Sequence, residues 1–395
     1  MATEPKEYRL DEMRHVYNCT GHELKIPNIV DSQGVYLVDD HGMKYMDLES
    51  GVWCISLGHK NTRLNSAISR QCDSLIQSGF SYSNMIVDSA AERILRIVGF
   101  KGGKCVFLCS GSEAIEISRQ ISKHISGHGI SMTLHDSYLG AYSSVRDRNN
   151  GWYAFDWRKC EGCASNQNCS RDCELLQEIP EEISDFVFEP GSSSGYVRFP
   201  PMSMIQNLAD IVRGNGGKVV ANEVTTGVGR TGKWFGYQHY EMEPDLIAIG
   251  KGIGNGYPVS VAVINEETTL ELSDKPFKYS QSHQNDPLGA TVVKEVVDII
   301  EENNLIDEVS RKGEGFLEQL TSLIDGEILL QVRGRGLMFA VDLCDAKTAN
   351  QVYDELIHRG FVIGNRGSSF RIDPPLTITE AEFSQFIEAF RNVIA

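Results

Sequence analysis

Apolar and polar positions alternate in blocks along the middle of the chain. Short apolar runs fall at Cys105–Cys109, Ile130–Leu134, Phe186–Glu189, Lys218–Ala221, Leu246–Ile249 and Val259–Ile264. Amphipathic stretches of helical period separate several of them, one starting at Ser112 and another spanning about Met202–Val212. Runs that are apolar throughout, rather than every second residue, belong to strands covered on both faces. Strand–helix alternation of this kind predicts an α/β domain built on a mostly parallel sheet. Before it, Gly34–Leu48 reads as a hairpin turning at Asp40-His41-Gly42. After Pro287 the pattern changes. A long amphipathic helix starts near Leu288, a strand pair follows at about Leu329–Val332 and Leu337–Leu343, then a helix, Phe361–Gly364, and a last helix from Thr379. This predicts three parts: 1–48 as the N-terminal portion of a small α+β domain, 49–287 as a large domain, and 288–395 as the remainder of the small domain.

Composition narrows the class without naming it. The 395 residues are 41% hydrophobic and 23% charged, with a formal charge of −17. That is globular composition, and the acidic balance disfavours nucleic acid and anionic membrane as partners. No apolar run reaches the length of a membrane span, and the first residues lack the apolar core of a signal peptide. A cytoplasmic location is expected, where the ten cysteines stay reduced or bind metal.

The chemistry concentrates between Val219 and Gly256. One strand ends in Asn222-Glu223, and the next delivers Lys251 among glycines. A lysine at the end of a buried strand is costly unless its amine is neutral or bonded. Covalent chemistry, above all a Schiff base with a carbonyl or pyridoxal phosphate (PLP), accounts for such a lysine. Upstream, Leu108-Cys109-Ser110-Gly111-Ser112 joins a strand to a helix start, where free N–H groups favour an anion. A serine there also serves as a plain N-cap. The Walker pattern and GxGxxG are absent, so a small phosphate fits better than a nucleotide. Tyr138 follows the next strand, placed either to stack on a planar ring or to pack under its loop.

Taken in order, the strand-SGSEA segment, the aromatic-x-G, a buried Glu189-Pro190, the NEVTTGVGRTG run and the strand-end lysine resemble the class III PLP-dependent aminotransferases. The resemblance runs from about Val35 to the C-terminal RIDPPLTITEAE. It implies the fold type I PLP-dependent transferase architecture and a homodimer with active sites shared at the subunit interface. It implies Lys251 as the Schiff-base lysine and proton shuttle, and Ser110, Gly111 and Ser112 around the phosphate. It puts Tyr138 on the ring face and Ser282 toward the partner subunit's phosphate. Trp53 falls in the substrate pocket, Arg371 on a substrate carboxylate, and Glu189 matches a family glutamate without assigned chemistry. The implied activity is transamination of an amino acid carboxylate.

Four departures complicate this. Asn222 stands where the family has an aspartate that keeps the pyridine nitrogen protonated. Losing a charge-assisted hydrogen bond of about 1.5–3 kcal/mol slows proton abstraction on the order of tenfold to a hundredfold. That leaves racemisation, epimerisation, decarboxylation and a catalytically impaired PLP-binding protein open as alternatives. Ser194 replaces a glutamate that pairs with the C-terminal arginine, so Arg371 is expected to stand free for an α-carboxylate, with Asp373 as its other available partner. Leu139 replaces a common histidine, and Thr225 a common glutamine.

Finally, Cys160, Cys163, Cys169 and Cys173 lie in an insert at 157–175 with metal-ligand spacing. They read either as a structural zinc or iron–sulfur site or as four reduced thiols.

Overall fold

A computed structural model describes residues 15–26, 28–161, 163, 168–194 and 196–395. Its centre is a seven-stranded sheet in the order Lys104–Leu108, Ser260–Ile264, Leu246–Ile249, Lys218–Glu223, Ile183–Phe188, Ile130–Leu134, Trp152–Phe155. All neighbours are parallel except Ser260–Ile264, which runs antiparallel to both strands beside it. The continuous apolar runs have the expected cause. Phe186, Phe188, Val219, Ala221, Ile247 and Ile249 pack into a core on one face. The alternating Leu108, Val187, Val220 and Ala248 join a second core on the other. Each core buries apolar surface worth about 25 cal/mol per Å², and helices such as Gly111–Ser126 and Met202–Gly214 cover the faces.

Two smaller sheets flank this one. Ile29–Gln33, Tyr36–Asp39 and Lys44–Asp47 form a meander, and Phe361–Val362 pairs parallel to its last strand, Phe361 opposite Met46. The N-terminal hairpin thus hydrogen-bonds to the C-terminal segment. The other sheet is antiparallel, in the order Leu329–Arg335, Met338–Leu343, Ser369–Ile372, Gly364–Arg366. The helices Pro287–Glu302, Leu305–Thr321, Ala346–His358 and Glu380–Ile394 complete this part. Some strands escaped the apolar pattern. Ile29–Gln33 and Trp152–Phe155 lie at sheet edges, the first mostly exposed and the second with only Phe155 fully buried. Short edge strands need little apolar content and leave a weak signal. Ser369–Ile372 is an inner strand, but only four residues long.

The C-terminal ends of the parallel strands point to one edge, the usual location of ligand sites in such sheets. Ser110, Tyr138, Glu189, Asn222 and Lys251 each lie at or just beyond one of these ends. The loop after Asn222 is pinned by its neighbour. Glu223 projects to the opposite face, where it accepts hydrogen bonds from the Gly236 and Tyr237 N–H groups at 2.8 and 2.6 Å and from the Thr226 hydroxyl at 2.8 Å. Glu223 is therefore a loop staple, and the strand register leaves Asn222 as the residue facing the site.

Burial pushes the Glu223 carboxyl up to about 7 despite these donors. Its folded pKa lies above the ordinary 4.5. Between these values the folded state holds the extra proton, so its stabilising contribution is full at low pH and is lost as pH rises through about 7. Glu223→Ala leaves two buried N–H groups unpaired and should cost about 3 kcal/mol in urea unfolding. It should also flatten the fall in stability between pH 5 and 7.5. An unchanged midpoint would show that the loop does not depend on this carboxyl.

Candidate active site

The anion cradle is built by the start of the helix Gly111–Ser126. Ser110 is its N-cap in a capping box with Glu113, whose carboxylate also takes the Cys109 and Ser110 N–H groups at 2.7 and 2.9 Å. The N–H groups of Gly111 and Ser112 make no hydrogen bond to the described residues. Such unspent amides at a helix N-terminus suit an anion. A side chain at Gly111 would place its Cβ 2.6 Å from Val224, so only glycine lets this turn approach the next loop. Ser112 instead anchors the neighbouring loop, its hydroxyl accepting the Ala141 N–H at 3.0 Å.

Tyr138 begins that loop with a half-exposed ring. Its backbone is gripped twice: the N–H donates to Glu189 Oε2 at 3.1 Å, and the carbonyl accepts from Asn222 Nδ2 at 2.9 Å. Asn222 Oδ1 also accepts the Val224 N–H at 3.3 Å. Leu139 is buried in the core behind.

Lys251 follows its strand in the left-handed region, φ 47°. The residue is partly buried, with protein packed around its amine. The amine donates to the Thr225 hydroxyl at 3.1 Å and sits 4.8 Å from the centre of the Trp53 ring. Desolvation lowers its pKa, while the Glu189 carboxyl opposes that effect.

Trp53 arrives on a left-handed turn in which Ser50, Gly51, Val52 and Trp53 have φ of 50°, 53°, 60° and 63°. Each non-glycine residue there costs roughly 1–2 kcal/mol. Compensating bonds hold it. Asp47 accepts the Glu49 and Gly51 N–H groups at 3.0 and 2.9 Å, and the Ser50 hydroxyl donates to the Asp373 carbonyl at 2.5 Å. Arg371 stacks 3.9 Å from the centre of the same tryptophan ring.

Arg371 does not stand free. It donates to Glu49 Oε1 at 2.9 Å and to the Ser193 carbonyl at 3.1 Å. The expectation of an unpaired arginine failed because an acid 322 positions away in sequence supplies the partner that residue 194 lacks. Asp373, the alternative partner, is buried with neither carboxylate oxygen hydrogen-bonded. Burial raises it to about 6, opposed by the charges of Arg371 and Arg230.

Two further predicted groups lie away from this centre, Ser282 being expected at the partner subunit's phosphate. Ser282 is exposed on a surface loop, its carbonyl accepting from Gln77 at 2.9 Å. The cysteine quartet forms no metal centre: among the described residues no group of three or more His, Cys, Asp or Glu is placed to hold a metal ion. Cys160, Cys169 and Cys173 pack against the apolar core while Cys163 faces solvent. Burial first, then the neighbouring cysteines, push the Cys160 thiol up to about 11, so it stays protonated near neutrality. No helix among the described residues is long and apolar enough to cross a membrane.

The fold is that of the fold type I PLP-dependent aminotransferases. An aminotransferase from Bacillus anthracis superposes with a TM-score of 0.89 at 22% identity, covering 96% of each chain. Taurine:2-oxoglutarate aminotransferase from Bifidobacterium kashiwanohense, solved with PLP and glutamate, superposes with a TM-score of 0.88 at 18% identity over 96% of this chain and 95% of that one. The family model for aminotransferase class-III matches residues 18–140 and 151–394, and the chain belongs to that family. Acetylornithine aminotransferase of Bacillus subtilis is 26% identical over 93% of this chain and 95% of its own length. Human mitochondrial alanine–glyoxylate aminotransferase 2 is 26% identical over 91% and 80%. The protein is accordingly a PLP-dependent aminotransferase, and nothing in the comparisons favours racemisation, decarboxylation or a non-catalytic role.

Proposed function

We propose that this aminotransferase acts on an amino acid carboxylate, with Lys251 as the residue that bonds PLP and moves the proton. The observation that carries this reading is convergence on Trp53: the Lys251 amine and the Arg371 guanidinium both lie over its ring. The residues fit the cofactor. Gly111 and Ser112 offer unspent N–H groups to its phosphate, with Ser110 capping the helix. Tyr138 and Asn222, at the strand ends, would hold its ring. When bound, PLP withdraws electrons from the carbon that carries the substrate's amino group.

The chain supplies the remaining steps. Desolvation favours the neutral form of the Lys251 amine, the form a nucleophile and base requires. Thr225 orients it through the 3.1 Å hydrogen bond. Asn222 carries no charge, and its amide already holds the Tyr138 carbonyl, so it contributes less to electron withdrawal than an aspartate would. Arg371 receives the substrate carboxylate, and that carboxylate displaces Glu49. Relatives are named for different substrates, and Arg371 is what selects a carboxylate here.

We further propose a homodimer in which a second copy brings Ser282 to the phosphate. Supporting it are exposed Leu75, Ile76, Phe80, Tyr82 and Met85, clustered in one segment beside a groove of about 1060 Å³ that also takes in Tyr279 and Ser280. Apolar exposure of this extent marks an interface.

Purified protein should show the visible absorption band of lysine-bound PLP, and amino acid donors should convert it to the pyridoxamine phosphate band. Lys251→Ala should abolish both the lysine-bound band and turnover; a variant retaining them would overturn the assignment. Glu49→Gln frees Arg371 from a charge-assisted bond of about 1.5–3 kcal/mol. It should lower KM for carboxylate substrates about tenfold or more, with little change for amines lacking a carboxylate. Equal effects on both substrate types would remove Glu49 from this role.

A further inference from the structure

Glu189 has no part in the scheme above, yet its placement is specific. Its strand pairs in parallel with that of Asn222, Phe188 lying opposite Ala221. One residue further along each strand sets Glu189 beside Asn222. Paired residues of parallel strands project to the same face, so both side chains turn to the face that carries Val187 and Val220 two residues earlier. They hold the same residue, Glu189 by the N–H of Tyr138 and Asn222 by its carbonyl.

The carboxyl is only half used by that contact. Glu189 is 1% exposed, Oε2 takes the Tyr138 N–H, and Oε1 is buried without a hydrogen bond. Burying a carboxylate this way is unfavourable unless a cation compensates it. The charges of Lys251 and Arg148 both interact with it, and Glu189 is in turn the strongest charge acting on Lys251. The other groups facing the pair are known. Ser193 lies against the Glu189 carboxyl. Arg148 is held behind the loop on the Ser137 carbonyl at 2.6 Å, and Glu189 and Asp136 act on its charge. Cys54, Arg371 and Asp373 also act on Lys251.

We propose that Glu189 is the acidic partner of the Lys251 amine: a positioning residue that governs its protonation from the strand end where Asn222 offers no charge. Ionised, the carboxyl holds the amine's proton through its field; protonated, it releases that hold. Burial lifts Glu189 to about 7 and depresses Lys251, so both forms of the acid are populated near neutrality. This inference rests on Lys251 being the PLP lysine.

The test is a pH titration of the visible band of lysine-bound PLP in wild type and Glu189→Gln. Glutamine keeps an oxygen for the Tyr138 N–H, so the loop remains held while the charge is removed. The inference expects the protonation midpoint of the lysine–PLP nitrogen to fall by about one pH unit or more, and the acidic limb of the kcat profile to move with it. A midpoint unchanged within 0.2 units, by roughly the precision of such a titration, would overturn it. If Glu189→Gln does not fold, Glu189→Asp keeps the charge one methylene further back. A midpoint lowered by a few tenths then supports the role, and an unchanged one ends it. Failure of the underlying reading looks different: wild type would show no lysine-bound band, or Lys251→Ala would share it.

Discussion

The structure is organised around an amine held where protein has displaced water. Lys251 lies at the end of a strand buried on both faces, and desolvation there disfavours its ammonium form. Three features offset the cost: the Thr225 hydroxyl, the face of Trp53 and the field of Glu189. Each comes from a different segment, so the site exists only when the sheet is assembled. The core on either side of the sheet therefore does more than stabilise. It fixes the strand ends whose spacing sets the charge on one nitrogen.

Strain is concentrated in the same place. Lys251 and the turn Ser50–Trp53 occupy the left-handed region, at an expense that surrounding contacts must over-determine. Asp47 and the Asp373 carbonyl do this for the turn. Arg230 ties the two parts of the chain behind it, donating to the carbonyls of Leu337 and Pro374. Burial alone pushes that guanidinium down to about 10, with Asp373 opposing the shift. The small sheets thus act as a clamp that delivers Glu49, Trp53 and Arg371 to a chamber otherwise built from the large one.

How much of this could be read from the sequence follows from distance along the chain. The apolar strands, their order and the residues at their ends are local signals, and they fixed Ser110, Gly111, Tyr138, Asn222 and Lys251 on one edge. Glu49 and Arg371 are 322 positions apart. Nothing in either neighbourhood reveals that they pair, and reasoning from residue 194 alone left the arginine free. Trp152–Phe155 was missed because an edge strand needs only one buried side. The cysteine spacing was equally local and equally suggestive, and the other three cysteines do act on the Cys160 thiol, but proximity is not ligand geometry: among the described residues no group of three or more His, Cys, Asp or Glu is placed to hold a metal ion. Three thiols turn to the core and one to solvent.

Two cationic side chains therefore lie over one ring; Arg371 is paired with Glu49, and Glu189 is the acid proposed for Lys251. Lys251 and Arg371 repel, and the charge of Arg371 helps depress the lysine. The acids differ in what they can do. Glu189 is 1% exposed and fixed by the Tyr138 backbone, whereas the Glu49 side chain keeps 23% of its surface and borders a cavity of about 700 Å³ shared with Arg371. An arriving carboxylate adds a negative charge that a low-dielectric site cannot absorb unanswered. Moving Glu49 outward balances it at the outer pair. On the proposed scheme the inner pair keeps its own charge, so recognition of the substrate's acid would leave the Lys251 nitrogen undisturbed.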